Sequence, residues 1–155
     1  MTHAEDELAV RALVARFTDA VNRRMPEDLS GLFTDTGEWI VPGMPEIEGG
    51  AAAAGQLGSL LDGFSFLVQL VHSGRVELAG ERASARWYIS EWAQSVDGAG
   101  WYFVGTYHDQ VVRSDDGWLF ASRRFDFLYR GRTELAGRTY PLVNPEVGDG
   151  IPWPP

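Results

Sequence analysis

Apolar residues recur at steps of three and four through the first part of the chain, which is the period of an amphipathic α-helix. This pattern predicts a helix over residues 5–24. Pro26 suits the first turn of a short second helix that runs through Phe33. A brief strand, Glu38–Val41, is predicted next, and an Ala- and Leu-rich stretch predicts a third helix over Ala51–Leu61.

Polar and apolar positions alternate from Phe64 onward, as they do in β-strands. Turn-forming segments separate four long runs, which are Phe66–Ala79, Arg82–Val96, Trp101–Arg113 and Trp118–Arg130. Even spacing with short connections predicts an antiparallel meander, and strands of this length usually belong to a strongly curved sheet. Helices followed by such a sheet predict an α+β fold.

The chain is predicted to form one domain over residues 1–135, because its length and composition suit a single hydrophobic core. Five of the eight prolines fall within residues 136–155. This proline-rich end is predicted to form an extended arm rather than a separate unit.

Charge and composition exclude several classes of function. The chain has no cysteine, and all 13 basic residues are arginine, which excludes thiolate and Schiff-base chemistry. The net charge of −9 argues against a nucleic acid or an anionic membrane as partner. With an acidic start, and no apolar run long enough to span a bilayer, we expect a cytoplasmic protein. We expect no metal, because the candidate histidine and carboxylates are scattered, and we expect no cofactor.

Alternation assigns the residues of each strand to two faces. On the second long strand the sets are Ala85, Trp87, Ile89 and Glu91 against Arg86, Tyr88, Ser90 and Trp92. On the fourth they are Leu119, Ala121, Arg123, Phe125 and Phe127 against Trp118, Phe120, Ser122, Arg124 and Asp126. Large aromatic residues on both faces predict a sheet that is covered on both sides. We therefore expect a homodimer on the outer face, with Tyr88, Trp92 and His108 at or near the contact.

The order of elements and several short motifs resemble the SnoaL-like branch of the nuclear transport factor 2-like superfamily. The motifs are Val21-Asn-Arg-Arg24, Leu32-Phe33, Glu38-Trp39, Val71-His72, Gly105-Thr-Tyr107 and Asp116-Gly-Trp118 with Arg123 beyond. The resemblance implies a conical α+β fold in which N-terminal helices pack on a strongly curved antiparallel sheet and enclose a pocket.

The resemblance also implies a set of site residues. In dehydratase and dehydrochlorinase members a carboxylate near the end of the first helix pairs with a histidine that His72 matches. Asn22 stands in place of that carboxylate, and Phe17 in place of a basic residue. Arg123 matches a pocket arginine, and Trp39 and Tyr107 match wall positions. The Asp–His dyad is therefore incomplete in this chain.

Glu91 joins the candidates because its parity would turn it into the pocket, where Arg123 is its expected partner. The predicted catalytic set is therefore His72, Asn22, Glu91, Tyr107 and Arg123, and the predicted pocket wall is Phe17, Trp39, Trp87, Ile89 and Phe127. Purely structural roles remain open: a hydrogen-bonded strand histidine, a helix-ending asparagine, a packing tyrosine and a buried Glu–Arg pair.

These residues suggest acid–base catalysis by a cofactor-independent lyase, isomerase or cyclase. The substrate would be a small, apolar cyclic metabolite of the polyketide or terpenoid kind. Two alternatives remain: a non-catalytic ligand-binding or dimer-scaffold protein, and an accessory subunit of an oxygenase.

Overall fold

The computed structural model describes residues 2–140 of the chain. Two α-helices, a short 3₁₀ helix at Pro26–Leu29 and six strands make up the described part. In chain order the helices and strands are α1 (His3–Arg23), β1 (Phe33–Ile40), β2 (Ile47–Glu48), α2 (Gly50–Asp62), β3 (Phe64–Ala79), β4 (Arg82–Ser95), β5 (Gly100–Ser114) and β6 (Gly117–Arg132). The predicted second helix is shorter than expected, and β1 begins earlier than expected. Most of the predicted C-terminal arm, residues 141–155, lies outside the described residues, so that arm stays a prediction.

Helix α1 is held at both of its ends by local interactions. The Thr2 hydroxyl accepts a hydrogen bond from the Glu5 backbone N–H, and the Glu5 carboxylate accepts one from the Thr2 backbone N–H, forming a capping box. The helix ends where Arg24 adopts a left-handed conformation, with φ of 56°. Its buried stripe is Val10, Leu13, Val14, Phe17, Ala20 and Val21. This stripe is the apolar face that the sequence pattern predicts, and it packs on the sheet.

The six strands form one curved, open sheet in the order β2-β1-β6-β5-β4-β3. The predicted meander of four long antiparallel strands, β3 to β6, is confirmed. The sheet as a whole is mixed, because β1 pairs with β6 in parallel. The pairing direction of β1 could not be predicted, since alternation along one strand carries no information about the direction of its neighbour. The α+β architecture itself is confirmed.

A β-bulge in β6 changes which residues face the helices. Gln110 pairs with Ser122 and Val111 pairs with Phe120, which leaves Ala121 as an extra residue. Phe120 therefore shares a face with Arg123, and both are fully buried. The predicted opposition of Trp118 and Phe120 to Arg123 is wrong for this reason.

The outer face of the sheet carries the residues that were expected there. Tyr88 and Trp92 are 43% and 37% exposed, and His108 is exposed on the neighbouring strand β5, opposite Arg86. Their placement agrees with the alternation argument. The homodimer itself stays a prediction.

A buried ion pair lies at the centre of the core. Arg123 donates from Nη1 to Oδ2 of Asp109 at 2.6 Å, and both side chains are fully buried. The guanidinium carbon lies 3.8 Å from the ring centre of Tyr107, 4.3 Å from that of Phe17 and 4.6 Å from that of Phe120. Burial raises the pKa of Asp109 to about 6, while Arg123 acts in the opposite direction. At neutral pH this pair joins β5, β6 and α1 as an ionised unit.

Removal of one partner from this pair should destabilise the fold far more than removal of both. We expect Asp109→Leu to lower the free energy of unfolding by about 3–5 kcal/mol, because it leaves the Arg123 charge buried without compensation. The double variant Asp109→Leu/Arg123→Met should recover most of that loss. Urea unfolding at pH 8, where Asp109 is ionised, measures both.

The matched control is Arg124→Met, which breaks an exposed ion pair with Asp126 on the same strand and should cost less than about 1 kcal/mol. A loss of that small size in Asp109→Leu would contradict the central role of the buried pair.

Candidate functional site

A cavity of about 330 Å³ lies between the inner face of the sheet, helix α2 and the loop that follows β1. Most of its wall is aliphatic or aromatic. Its polar side chains come from five strands of the sheet, β1 and β3 to β6: Trp39, Gln69, Glu91, Tyr107 and Arg130. The apolar wall consists of Val21, Val41, Pro42, Met44, Leu57, Leu60, Phe64, Leu67, Phe103, Phe125 and Phe127. Such a cavity fits a small and largely apolar molecule with few polar groups.

The structure brings only part of the predicted site together. Glu91, Tyr107, Trp39 and Phe127 line the cavity as expected. The other pocket-wall candidates and Arg123 are buried beside the cavity, in the core, and do not line it: Phe17, Trp87, Ile89 and Arg123. A large part of the predicted wall therefore belongs to the packing that supports the cavity.

His72 lies on the opposite face of the sheet from the cavity. Its ring Nε2 is 2.7 Å from the Ser90 hydroxyl, and its side chain is exposed. On β3, Gln69 and Val71 face inward opposite Glu91 and Ile89, so alternation turns the next residue outward. The expectation that His72 and Glu91 share one cavity is wrong. His72 cannot reach a molecule bound there.

Glu91 is the carboxylate of the cavity, and its partner is an amide rather than a cation. Gln69 donates from Nε2 to Oε1 of Glu91 at 2.7 Å, and the Thr18 hydroxyl donates to Oε1 of Gln69 at 3.2 Å. Within residues 2–140 Glu91 forms no ion pair, and the expected pairing with Arg123 is wrong because that arginine pairs with Asp109. Burial raises the pKa of Glu91 above its ordinary value, while the Gln69 hydrogen bond acts in the opposite direction.

Asn22 holds Gln69 from the end of α1 without lining the cavity. Its Nδ2 donates to the Gln69 carbonyl at 2.9 Å, and its Oδ1 accepts from the Gln69 N–H at 2.7 Å. Both functions of the amide are used, which a carboxylate could not do. Asn22 thus fixes the backbone whose side chain holds Glu91.

Tyr107 supplies a neutral hydrogen-bond donor at the buried end of the cavity, and Trp39 packs beside it. Burial raises the pKa of Tyr107 to about 12, with Arg123 acting in the opposite direction, so its hydroxyl keeps its proton. The indole N–H of Trp39 is itself buried and lies beside the Tyr107 oxygen, so it acts on that oxygen and not on the open space of the cavity. A polar atom bound in the cavity can accept a hydrogen bond from the Tyr107 hydroxyl.

The sequence analysis missed three residues of this arrangement: Gln69, Asp109 and Arg130. Gln69 could have been noticed as a lone amide among apolar residues of inward parity, in the run Leu67-Val-Gln-Leu-Val71. Asp109 has the parity of Tyr107 on the same strand, which was a signal that a charge would be buried. Arg130 gave no such signal, because a bulge in β6 decides its direction.

Metal sites require clusters of ligand side chains. Across residues 2–140, no three histidine, aspartate or glutamate side chains cluster as a metal site would require. In the same residues, no helix has the length and apolar character needed to cross a membrane.

Comparison with known proteins shows which proteins share this fold. Residues 2–124 match the model of the SnoaL-like domain family. A type 2 hexachlorocyclohexane dehydrochlorinase superposes with a TM-score of 0.79 at 18% identity, covering 90% of this chain and 99% of its own. A protein from Novosphingobium aromaticivorans, provisionally named scytalone dehydratase, gives a TM-score of 0.76 at 17% identity, with 88% and 97% covered. No curated protein matches the chain.

Replacement of the cavity carboxylate should change how stability depends on pH. A raised pKa in the folded state means that Glu91 favours folding below the unfolded value of about 4.5 and loses that contribution as the pH rises through the folded pKa. We expect Glu91→Gln to be more stable than the wild type at pH 8, because no charge is then desolvated, and equally stable near pH 4. Thermal unfolding across this range measures the difference, with exposed Glu46→Gln as the control. A constant difference at all pH values would contradict the burial argument.

Replacement of Asn22 by aspartate tests the two hydrogen bonds between the Asn22 amide and the Gln69 backbone. The carboxylate of Asn22→Asp would face the Gln69 carbonyl with no proton to donate, so we expect a loss of about 1–3 kcal/mol in the free energy of unfolding at pH 8. The loss should shrink at low pH, where the protonated acid can donate again. Asn22→Ala, which lacks both partners at any pH, is the matched control. Wild-type stability of Asn22→Asp at pH 8 would show that these two hydrogen bonds contribute nothing to the free energy of unfolding.

Proposed function

The chain belongs to the SnoaL-like domain family, and from this premise we propose that it is a cofactor-independent enzyme that moves a proton on a small apolar cyclic molecule. The reaction would be of the lyase, isomerase or cyclase kind. One observation carries the proposal: Glu91 lies in a mostly apolar cavity, held by Gln69 at one oxygen and unpaired with any cation of residues 2–140. Burial raises the pKa of this carboxyl group, which makes it a stronger proton acceptor than an exposed carboxylate.

Glu91 and the residues around it would have different roles in the reaction. The ionised carboxylate would take a proton from a carbon beside an electron-withdrawing group, and the negative charge would move to an oxygen of the substrate. The Tyr107 hydroxyl is a neutral donor that can stabilise such an oxygen, and the Trp39 indole lies beside it. The protonated Glu91 can then return the proton to another carbon, which completes an isomerisation, or to a leaving oxygen as its C–O bond breaks, which completes an elimination of water.

The names of structural neighbours favour an elimination within this class. A dehydrochlorinase and a protein provisionally named as a dehydratase share the fold at low identity. This chain would differ from a histidine-based site, because its histidine on β3 faces outward and its acid–base group is Glu91 on β4. The polyketide or terpenoid character of the substrate belongs to the proposal and is supported by the aromatic wall alone.

A ligand-binding protein without catalysis is the second candidate. Two observations favour it: position 22 carries an amide instead of a carboxylate, and no histidine among the described residues lines the cavity. Such a protein would bind the same kind of molecule and leave it unchanged.

Elimination of 5-nitrobenzisoxazole separates the two candidates, because this probe needs only a base in an apolar site. The base removes the ring C–H proton while the N–O bond breaks, and the product is a coloured nitrile-bearing phenolate. We expect saturable elimination whose rate rises with pH through an inflection above 4.5. Glu91→Gln should lower kcat/KM by about 10²-fold, the lower end of the usual contribution of a positioned base. Tyr107→Phe should lower kcat by a smaller factor, since the phenolate oxygen loses a donor.

The matched control is His72→Gln, which alters the outer face only and should leave the rate unchanged. Saturable binding with no elimination above that of free acetate would favour the ligand-binding protein. Loss of activity in His72→Gln, with activity retained in Glu91→Gln, would overturn the assignment of the base.

A further inference from the structure

A row of four side chains crosses the sheet at the level of Glu91. Gln69 of β3 pairs with Glu91 of β4, Glu91 with Phe103 of β5, and Phe103 with Arg130 of β6. All four line the cavity. Because neighbouring strands are about 4.8 Å apart, the backbones of Glu91 and Arg130 are about 10 Å apart, with the Phe103 ring between them.

Arg130 reaches this row through a second bulge in β6. Gly105 pairs with Phe127 and Val104 pairs with Tyr129, so Leu128 is extra and Arg130 returns to the inner face. Its guanidinium lies 5.9 Å from the ring centre of Phe127. Arg130 is exposed, whereas Tyr107 is buried, so this arginine marks the open end of the cavity.

Arg130 forms no ion pair with any acidic side chain of residues 2–140. Its guanidinium also lies 5.4 Å from the ring centre of Trp101, where Arg132 lies at 4.2 Å. A contact with an aromatic face leaves the N–H donors in the plane of the guanidinium unused. The arginine therefore offers its hydrogen-bond donors to whatever occupies the mouth of the cavity.

We propose that Arg130 is an anion subsite for a carboxylate, and that the natural ligand is a ring-bearing monocarboxylate. Its carboxylate would bind the Arg130 guanidinium at the mouth, its ring would lie over Phe103, and its far edge would reach Glu91. A guanidinium matches the two oxygens of a carboxylate with parallel hydrogen bonds. A single negative charge suits a chain of net charge −9 better than the double charge of a phosphate ester does. The part of this proposal that places the reacting edge at Glu91 depends on the proposed function, whereas the anion subsite does not.

Binding of two isosteric probes tests the subsite without any need for turnover. The probes are 2-naphthoate and its neutral amide, 2-naphthamide, measured by calorimetry at pH 8 and low ionic strength. We expect the wild type to bind the carboxylate roughly tenfold more tightly than the amide, as one charge-assisted pair would give. Arg130→Gln should remove that preference and leave amide binding unchanged. Arg130→Lys, which keeps the charge but not the planar donor pair, should retain part of the preference.

Arg124→Gln is the matched control, because it removes an equal charge from the same strand on the outer face and should keep the preference. Equal loss in both variants would mean that net charge alone attracts the probe, and the subsite would be refuted. Equal binding of both probes by the wild type, or no binding of either at millimolar concentration, would also overturn the proposal. A parallel loss of carboxylate and amide binding in Arg130→Gln would assign Arg130 to the shape of the cavity instead, which refutes the subsite as well.

The subsite and the proposed function can fail independently of each other. A carboxylate preference that depends on Arg130, together with no elimination of 5-nitrobenzisoxazole, would leave the subsite standing and refute the acid–base role of Glu91. Elimination that depends on Glu91, without a preference for the carboxylate, would leave that acid–base role standing and refute the subsite.

Discussion

The buried ion pair between Asp109 and Arg123 is the interaction on which the rest of this structure depends. Two opposite charges can be buried together only when they neutralise each other, and here three aromatic rings surround the cation as well. Phe17 comes from α1, Tyr107 from β5 and Phe120 from β6, so the guanidinium joins the helix to two neighbouring strands. Tyr107 has one face against this core and contributes to the wall of the cavity. The pair therefore sets where the buried end of the cavity lies.

The cavity combines an apolar wall with a short chain of amide hydrogen bonds. Asn22 holds the backbone of Gln69, and the side chain of Gln69 holds Glu91. Amides orient a carboxylate without supplying a positive charge, so desolvation still dominates and the pKa of Glu91 is raised. A carboxylate paired with arginine would be stabilised in its charged form and would be a weaker proton acceptor. The chain places its arginine–aspartate pair in the core and its amide–glutamate pair in the cavity. Burial raises the pKa of both carboxyl groups, but a cation opposes that effect only for Asp109, and only Glu91 lies where a bound molecule can reach it.

The candidate site was only partly predictable from the residues. Glu91, Tyr107, Trp39 and Phe127 were assigned to the cavity by parity or by resemblance, and they line it. His72 was assigned by resemblance against the alternation of its own strand, and the structure places it outside. A motif match identifies a position along the chain to within a residue or so, whereas a shift of one residue in a strand exchanges the two faces of the sheet. The inward parity of Gln69 and Asp109 was a signal of burial, but parity does not tell which partner on another element a polar side chain will meet.

By itself the sequence determined the elements and their order: a capped amphipathic helix, a second helix, and four long alternating strands joined by short turns. These features depend on periodicity, capping and turn residues, which act between residues close together in the chain. Only the tertiary structure decided that β1 runs parallel to β6, that Ala121 and Leu128 are bulged, and that Arg123 pairs with Asp109 rather than with Glu91. Each of these depends on hydrogen bonds and desolvation between residues from separate strands. One extra residue in a ladder reverses the facing of every side chain that follows, so the direction of Arg130 into the cavity was set by strand pairing and not by its local sequence.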